Sequence, residues 1–254
     1  MITLKTPKEI QLLRKGGKIL HDILHKVAQT AKPGMTTADL SDMAEREILL
    51  AGGEPSFKGY GGEYNPFPAA LCVAVNSELV HGIPKNEPLQ DGDIIGLDIG
   101  MRYPKGNGLY TDMAITVAIG EILPETKKLM EVTKGALNIW LKRIKPGRKL
   151  NEIAKEVQEF VEKNGFSVVR DLVGHGVGHG VHEEPQIPNY YTDATTTLKE
   201  GMVIALEPMV AAGHYEIETL EDGWTVIMKD RSISAHYEHT VAVTKDGNIV
   251  ITGK

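Results

Sequence analysis

The stretch that decides the fold is "LQDGDIIGLD" (residues 89–98), because "LKEGMVIALE" (198–207) repeats its pattern later in the chain. In each, a glycine-containing turn leads into a short apolar run that ends in an acid, Asp98 in the first and Glu207 in the second. Ile94, Ile95, Leu97 and Ile99 read as a buried strand, so Asp98 sits where a carboxylate is costly unless a cation meets it. Two more blocks repeat in the same order. "KPGMTTADLSDMAEREILLAGG" (32–53) resembles "KPGRKLNEIAKEVQEFVEKNG" (145–165), pairing Leu40 with Ile153, Ala44 with Val157 and Ile48 with Val161. "TDMAITVA" (111–118) resembles "YEHTVAVT" (237–244), setting Asp112 against Glu238. Three blocks in one order, with an acid aligned to an acid in two of them, argue against chance similarity.

The repeat organises the rest of the chain. "TPKE" (6–9) has capping-box spacing, and Ile10, Leu13, Leu20, Leu24 and Val27 recur at helical intervals until "KPG" at 32–34 stops the helix. Helices are predicted over about 37–50, 124–144 and 150–163. Strands are predicted at 71–76, 93–100, 110–119, 166–173, 201–210, 224–229, 236–244 and 248–252. Residues 54–71 are rich in glycine, proline and aromatics and read as loop. Each half, about 1–120 and 121–254, is thus two helices followed by strands. The chain reads as one α+β domain, 1–254, its pseudo-twofold-related halves joined in a central antiparallel sheet covered by helices.

Composition sets limits. The chain has 254 residues, 41% of them apolar and 24% charged, with a net charge of −6, so nucleic acid and anionic membranes are not expected partners. One cysteine, Cys72, excludes an internal disulfide and fits a reducing cytoplasm. "MITLKTPKEI" lacks an apolar run of signal-peptide length, and nothing later approaches a membrane span.

Four acids at matched places form a chemical pattern. Asp98, Asp112, Glu207 and Glu238 share one centre only if cations neutralise them, since mutual repulsion otherwise raises their pKa values until some protonate. Two divalent ions balance four negative charges, and oxygen donors with an imidazole suit Mn²⁺, Fe²⁺ or Co²⁺. Two such ions about 3.5–4 Å apart activate a water between them. The imidazole is sought in "LVGHGVGHGVHEEP" (172–185). His175 and His182 point to opposite faces of a regular strand, so a bend or bulge, which the glycines permit, is needed to aim both at one cleft. His179 is the candidate bystander.

These blocks, together with "TPKEIQLLRKGGKI", "VNSELVHGIP", "GHGVGHGVHEEPQIPNY", "IALEPM" and "DGWTVIMKDRSISAHYEHTVAVT", make the whole chain resemble a type I methionine aminopeptidase of the pita-bread fold. The resemblance implies a cytoplasmic monomer that removes the initiator methionine from nascent polypeptides, prefers a small second residue and contacts the ribosome transiently. It implies two divalent ions (Co²⁺, Mn²⁺, Fe²⁺ or Zn²⁺) on Asp98, Asp112, His175, Glu207 and Glu238, with Asp112 and Glu238 bridging. Glu207 also handles the proton of the attacking water, His182 hydrogen-bonds the scissile carbonyl oxygen, and His81 lies near the first peptide bond. The resemblance also implies a methionine pocket lined by Phe57, Tyr60, Cys72, Val181 and Trp224, beside His81 and His182.

Three features depart from the family pattern. The thirteen residues between Asp98 and Asp112 are more than type I members usually have, and an odd change in a hairpin needs a bulge to keep side-chain parity. "GYGGEYNPFPAALC" is long between Tyr60 and Cys72, placing Tyr64 and Phe67 to fold over the pocket. "HGVGH" resembles proline-specific relatives. The competing readings are an X-Pro aminopeptidase or dipeptidase with the same metal set, and a non-catalytic protein that holds partner termini in the cleft.

Overall fold

In the computed structural model, which describes residues 1–193 and 195–254, the helices come as two pairs. They are α1 (Pro7–Thr30), α2 (Thr37–Leu50), α3 (Pro124–Arg143) and α4 (Leu150–Lys163). Thr6 and Glu9 form the expected capping box of α1, and Thr36 with Asp39 closes an equivalent one on α2. The first half carries β1 (Glu54–Pro55), β2 (Leu71–Val75), β3 (Glu78–Val80), β4 (Ile94–Tyr103) and β5 (Leu109–Ala118). The second carries β6 (Ser167–Val168), β7 (Gly174–Gly176), β8 (Glu183–Ile187), β9 (Val203–Leu206), β10 (Met209–Ala211) and β11 (Ile217–Thr219). It ends with β12 (Val226–Met228), β13 (Ser234–His236), β14 (His239–Thr244) and β15 (Gly247–Val250).

Each half buries the same kind of interface. Leu40, Ala44 and Ile48 of α2 join Leu20 and Leu24 of α1 against Leu71, Val73, Ile95, Leu97 and Ile99. Their counterparts Ile153, Val157 and Val161 of α4 join Leu129, Val132 and Trp140 of α3 against Ile204, Leu206, Val241 and Val243. Because strand side chains alternate, sending Ile95, Leu97 and Ile99 to the helices turns Gly96, Asp98 and Gly100 to the other face. In β9 the same alternation sends Ile204 and Leu206 to the helices and turns Val203, Ala205 and the following Glu207 away. Apolar burial at roughly 25 cal/mol per Å² thus fixes where the acids point.

All sheet pairings are antiparallel. β2, β4 and β5 form one sheet with β1, and β15, β14, β9, β7 and β8 form another in that order. The halves meet where β5 runs beside residues 236–240, and threonine hydroxyls make the seam. Thr240 Oγ1 accepts from the Asp112 N–H at 2.9 Å and donates to the Asp112 carbonyl at 2.8 Å. Thr116 Oγ1 does the same for His236, at 2.9 and 2.8 Å. Between them the Glu238 N–H reaches the Ala114 carbonyl at 2.8 Å. Both threonines are buried, so these bonds form where water does not compete.

Several predicted strands differ: 201–210 is broken after Leu206 into β9 and β10, which join different sheets, and 236–244 is split between the end of β13 and β14. The 166–173 stretch pairs only at Ser167–Val168, and the glycine-rich histidine segment is a β7–β8 hairpin rather than one bent strand. Gly178 at φ +138° turns its tip, where a Cβ would stand 2.5 Å from Lys5 Cε. Glu183 Oε1 accepts from the backbone N–H groups of His179 and Gly180, and its other oxygen binds Thr3 and the buried Lys5 ammonium. The N-terminal residues thereby fasten the turn that carries His182. Among the described residues, no helix is long and apolar enough to cross a membrane.

Candidate metal centre

Register places the acids without a bulge. β4 and β5 pair continuously, Asp98 opposite Ala114 and Gly100 opposite Asp112. Asp98 and Gly100 share a face, so Asp112 joins Asp98 there, and Cys72 opposite Asp98 on β2 completes the patch. The longer connection is absorbed in the turn at 104–108, which leaves parity intact. Gly100 is small for a reason: a Cβ there would lie 2.1 Å from Ser56 Oγ and 2.7 Å from the Phe57 ring. In the other half β9 pairs with β14 so that His239 faces Leu206, putting Glu207 and Glu238 beside each other just past the ladder. His175 on β7 lies opposite Ala205, on the face that Glu207 continues.

The sheets therefore converge on one cavity of about 520 Å³. Asp98, Asp112, His175, Glu207 and Glu238 all line it, with His81, His182, Phe57, Tyr60, Cys72 and Trp224. One ligand atom from each of Asp112, His175 and Glu238 lies within 4.8 Å of the others. His175 Nε2 is 3.3 Å from Glu207 Oε1, while its Nδ1 is 2.9 Å from the Gly176 carbonyl. That carbonyl only accepts, so Nδ1 carries the proton and Nε2 turns its lone pair to the acids.

Electrostatics show what the centre lacks. Burial raises Asp98 to about 7. Burial, with the neighbouring carboxylates adding to it, pushes Asp112, Glu207 and Glu238 well above the carboxylate range. Burial holds His175 and His81 down at about 4. Asp98 Oδ1 and Glu238 Oε1 are buried with no hydrogen-bond partner. Acids that repel one another, orphaned oxygens and a neutral imidazole fit divalent cations and little else in a folded protein. The donor set is that of a candidate metal site.

The model of metallopeptidase family M24 matches residues 11–245. The chain belongs to metallopeptidase family M24. The M24 chain is 46% identical over 253 residues to methionine aminopeptidase 1 of Bacillus subtilis, covering 99% of each chain. It is 38% identical over 253 residues to the Escherichia coli methionine aminopeptidase, covering 99% of this chain and 94% of that one. Methionine aminopeptidase from Thermotoga maritima superposes with a TM-score of 0.95 at 41% identity, covering 100% of each chain. The prolidase of Pyrococcus horikoshii shares the fold, with a TM-score of 0.78 at 23% identity over 99% of this chain and 63% of that one.

The histidines of this M24 protein divide by position. His175 and His182, brought together by the hairpin, stack edge to face with centroids 4.4 Å apart. His179 turns away and meets Glu9 of α1 at 2.7 Å. His81 takes a left-handed backbone (φ +55°) at the end of β3, a costly conformation for a residue other than glycine, and its ring approaches Trp224.

The pocket wall departs from the sequence reading at three places. Phe67, in the long segment, is buried in the apolar slot with Phe57 and Cys72, its ring edge-on to Trp224 at 5.4 Å. Val181 packs in the same apolar cluster but behind the cavity surface. Tyr64, expected over the pocket, is fully exposed at the loop tip. Tyr60 stays at the mouth, 41% exposed, with its hydroxyl 2.7 Å from His182 Nδ1.

Sequence reasoning missed Leu172, Met209 and His236. Leu172 and Met209 add apolar wall. His236 is buried with Nε2 3.8 Å from Glu207 Oε2 and no hydrogen bond at that nitrogen. Its signal was available: two residues before Glu238 in an extended segment, a side chain lies on the same face.

Proposed function

We propose that this chain is a methionine aminopeptidase that removes initiator methionine from nascent polypeptides. The observation that carries the reading is an apolar slot, walled by Phe57, Phe67, Cys72 and Trp224, that opens directly onto the acid cluster. An unbranched, polarizable methionine side chain fills such an irregular slot well, and the carbonyl of that residue then faces the cluster. Full-length similarity to methionine aminopeptidases supports the same conclusion.

Asp98, Asp112, His175, Glu207 and Glu238 would hold two divalent cations, Co²⁺, Mn²⁺, Fe²⁺ or Zn²⁺. When bound, these supply Lewis-acid polarisation of a water and of the peptide carbonyl. Glu207 takes a proton from the attacking water and returns it to the departing amine nitrogen as the C–N bond breaks. His182 donates a hydrogen bond to the carbonyl oxygen as negative charge develops there, a contribution largest in a dry, preorganised site. His81, which lines the same cavity, orients the first peptide bond. The acids also favour a free α-amino group, which confines cleavage to the first residue. A small second residue is favoured, as the resemblance to methionine aminopeptidases implies. The catalytic unit is the whole of 1–254, acting as a cytoplasmic monomer on emerging N-termini with transient ribosome contact.

Hydrolysis of Met-Ala-Ser against Ala-Pro-Ala, with Mn²⁺ or Co²⁺, tests the reading. Met-Ala-Ser is cleaved and Ala-Pro-Ala is not, and Glu207→Gln removes the activity by about 10²–10⁴-fold, the usual worth of a positioned acid–base group. A folded, metal-loaded protein that leaves Met-Ala-Ser intact would overturn it.

A further inference from the structure

Only the ends of the segment between Phe57 and Phe67 are buried in the apolar cluster of the slot. It is nevertheless built firmly. The Gly59 N–H donates to the Phe67 carbonyl at 2.8 Å, and the Phe67 N–H returns to the Tyr60 carbonyl at 2.7 Å. The Tyr60 N–H itself reaches the Phe57 carbonyl at 2.9 Å. Farther out, Trp224 Nε1 donates to the Asn65 carbonyl at 3.0 Å, and Asn65 Nδ2 donates to the Asp222 carbonyl at 3.1 Å. Both backbone groups of Tyr60 are thus engaged, and its ring stands edge-on to His182 with centroids 5.2 Å apart.

We propose that Tyr60 is a positioning residue that fixes His182 in the tautomer the reaction uses. The inference rests on the peptidase reading, in which His182 donates a hydrogen bond; with the Tyr60 hydroxyl at Nδ1, the nitrogen left to donate is Nε2. An imidazole that donates from Nε2 while neutral must accept at Nδ1, and the Tyr60 hydroxyl lies 2.7 Å from that Nδ1. A phenol donates there and stabilises the Nε2–H form; the opposite tautomer would leave Nε2 a bare lone pair facing a developing anion. The ring of Tyr60 limits rotation of the imidazole about its side-chain bonds. Tyr60 acts through His182, whereas the methionine slot is walled by Phe67 and its neighbours.

Tyr60→Phe tests this, because it keeps the ring and the loop and deletes only the hydroxyl. With Met-Ala-Ser and saturating Mn²⁺, kcat falls about tenfold, the size of one hydrogen bond of ~1.4 kcal/mol, and KM stays within about twofold. A second readout needs no turnover: imidazole ¹⁵N shifts of the metal-free full-length protein, with His182 assigned by its loss in His182→Asn. Wild type shows His182 protonated at Nε2 alone, and Tyr60→Phe shows the two tautomers mixed. Unchanged kcat, a rise confined to KM, or an unchanged ¹⁵N pattern would each overturn the proposal. If wild type fails to cleave Met-Ala-Ser, the peptidase reading fails instead, and the ¹⁵N comparison still decides whether Tyr60 sets the tautomer.

Discussion

Removing the cations should make the stability of this protein fall steeply as pH rises above 7. Burial and mutual repulsion hold Asp112, Glu207 and Glu238 far above the carboxylate range, and burial holds Asp98 at about 7. Without metal the folded state keeps protons that the unfolded chain has already lost, so each retained proton lowers stability as pH rises. The buried histidines act in a different window. His81 and His175 are lowered to about 4 and His236 to about 3, so they penalise the folded state only below their unfolded value near 6.5. Above pH 7 they are neutral in both states, and the acids alone set the slope. Asp98, at about 7, gives up its proton near the start of that range, so the slope comes from Asp112, Glu207 and Glu238; one proton retained throughout costs about 1.4 kcal/mol per pH unit, hence about 2 kcal/mol between pH 7.0 and 8.5. For a chain of this size that is a drop of about 4–8 °C in Tm, and more if several protons are retained. The assay is thermal unfolding of chelator-treated protein at pH 7.0, 7.8 and 8.5, beside protein saturated with Mn²⁺ under argon. The chelated protein loses Tm with pH, the Mn²⁺ form holds or gains, and Asp112→Asn flattens the chelated slope. A flat chelated series, or two parallel ones, would refute the reasoning.

Other consequences are local. Phe67→Ala opens the apolar slot and should raise KM for Met-Ala-Ser about tenfold or more, the value of a buried aromatic wall, while norleucine-Ala-Ser suffers equally; an unchanged KM would remove Phe67 from the pocket. Thr240→Val takes both seam partners from the Asp112 backbone and should cost about 1–3 kcal/mol in urea unfolding, with weaker Mn²⁺ binding by calorimetry. Wild-type stability and affinity in that variant would mean that the threonine seam does not hold the centre together.

Much of this was legible in the sequence because it depends on period and repetition. Matched blocks put Asp98 against Glu207 and Asp112 against Glu238, and the alternation of apolar residues in β4 and β9 decided which way those acids faced. The helices fell within about a turn of prediction, since caps at Thr6, "KPG" stops and apolar spacing are local signals. What escaped was what depends on distant partners. The β7–β8 hairpin needs Lys5 and Thr3 to hold its turn through Glu183, from the far end of the chain. Phe67 entered the slot because a loop folded back onto its own start, through hydrogen bonds that no local composition announces. The threonine seam replaces a strand ladder with side chains, and Thr116 and Thr240 look like ordinary strand residues until β5 and β14 are placed side by side. His236 is the exception: its face was predictable from Glu238, two residues on.

The most direct measurement of the central claim is anomalous scattering at the manganese edge from crystals grown with excess Mn²⁺. Two peaks among Asp98, Asp112, His175, Glu207 and Glu238 are the result predicted for acids from two matched halves gathered to hold a cation pair. Manganese bound elsewhere, or those five side chains turned away from it, would contradict the account.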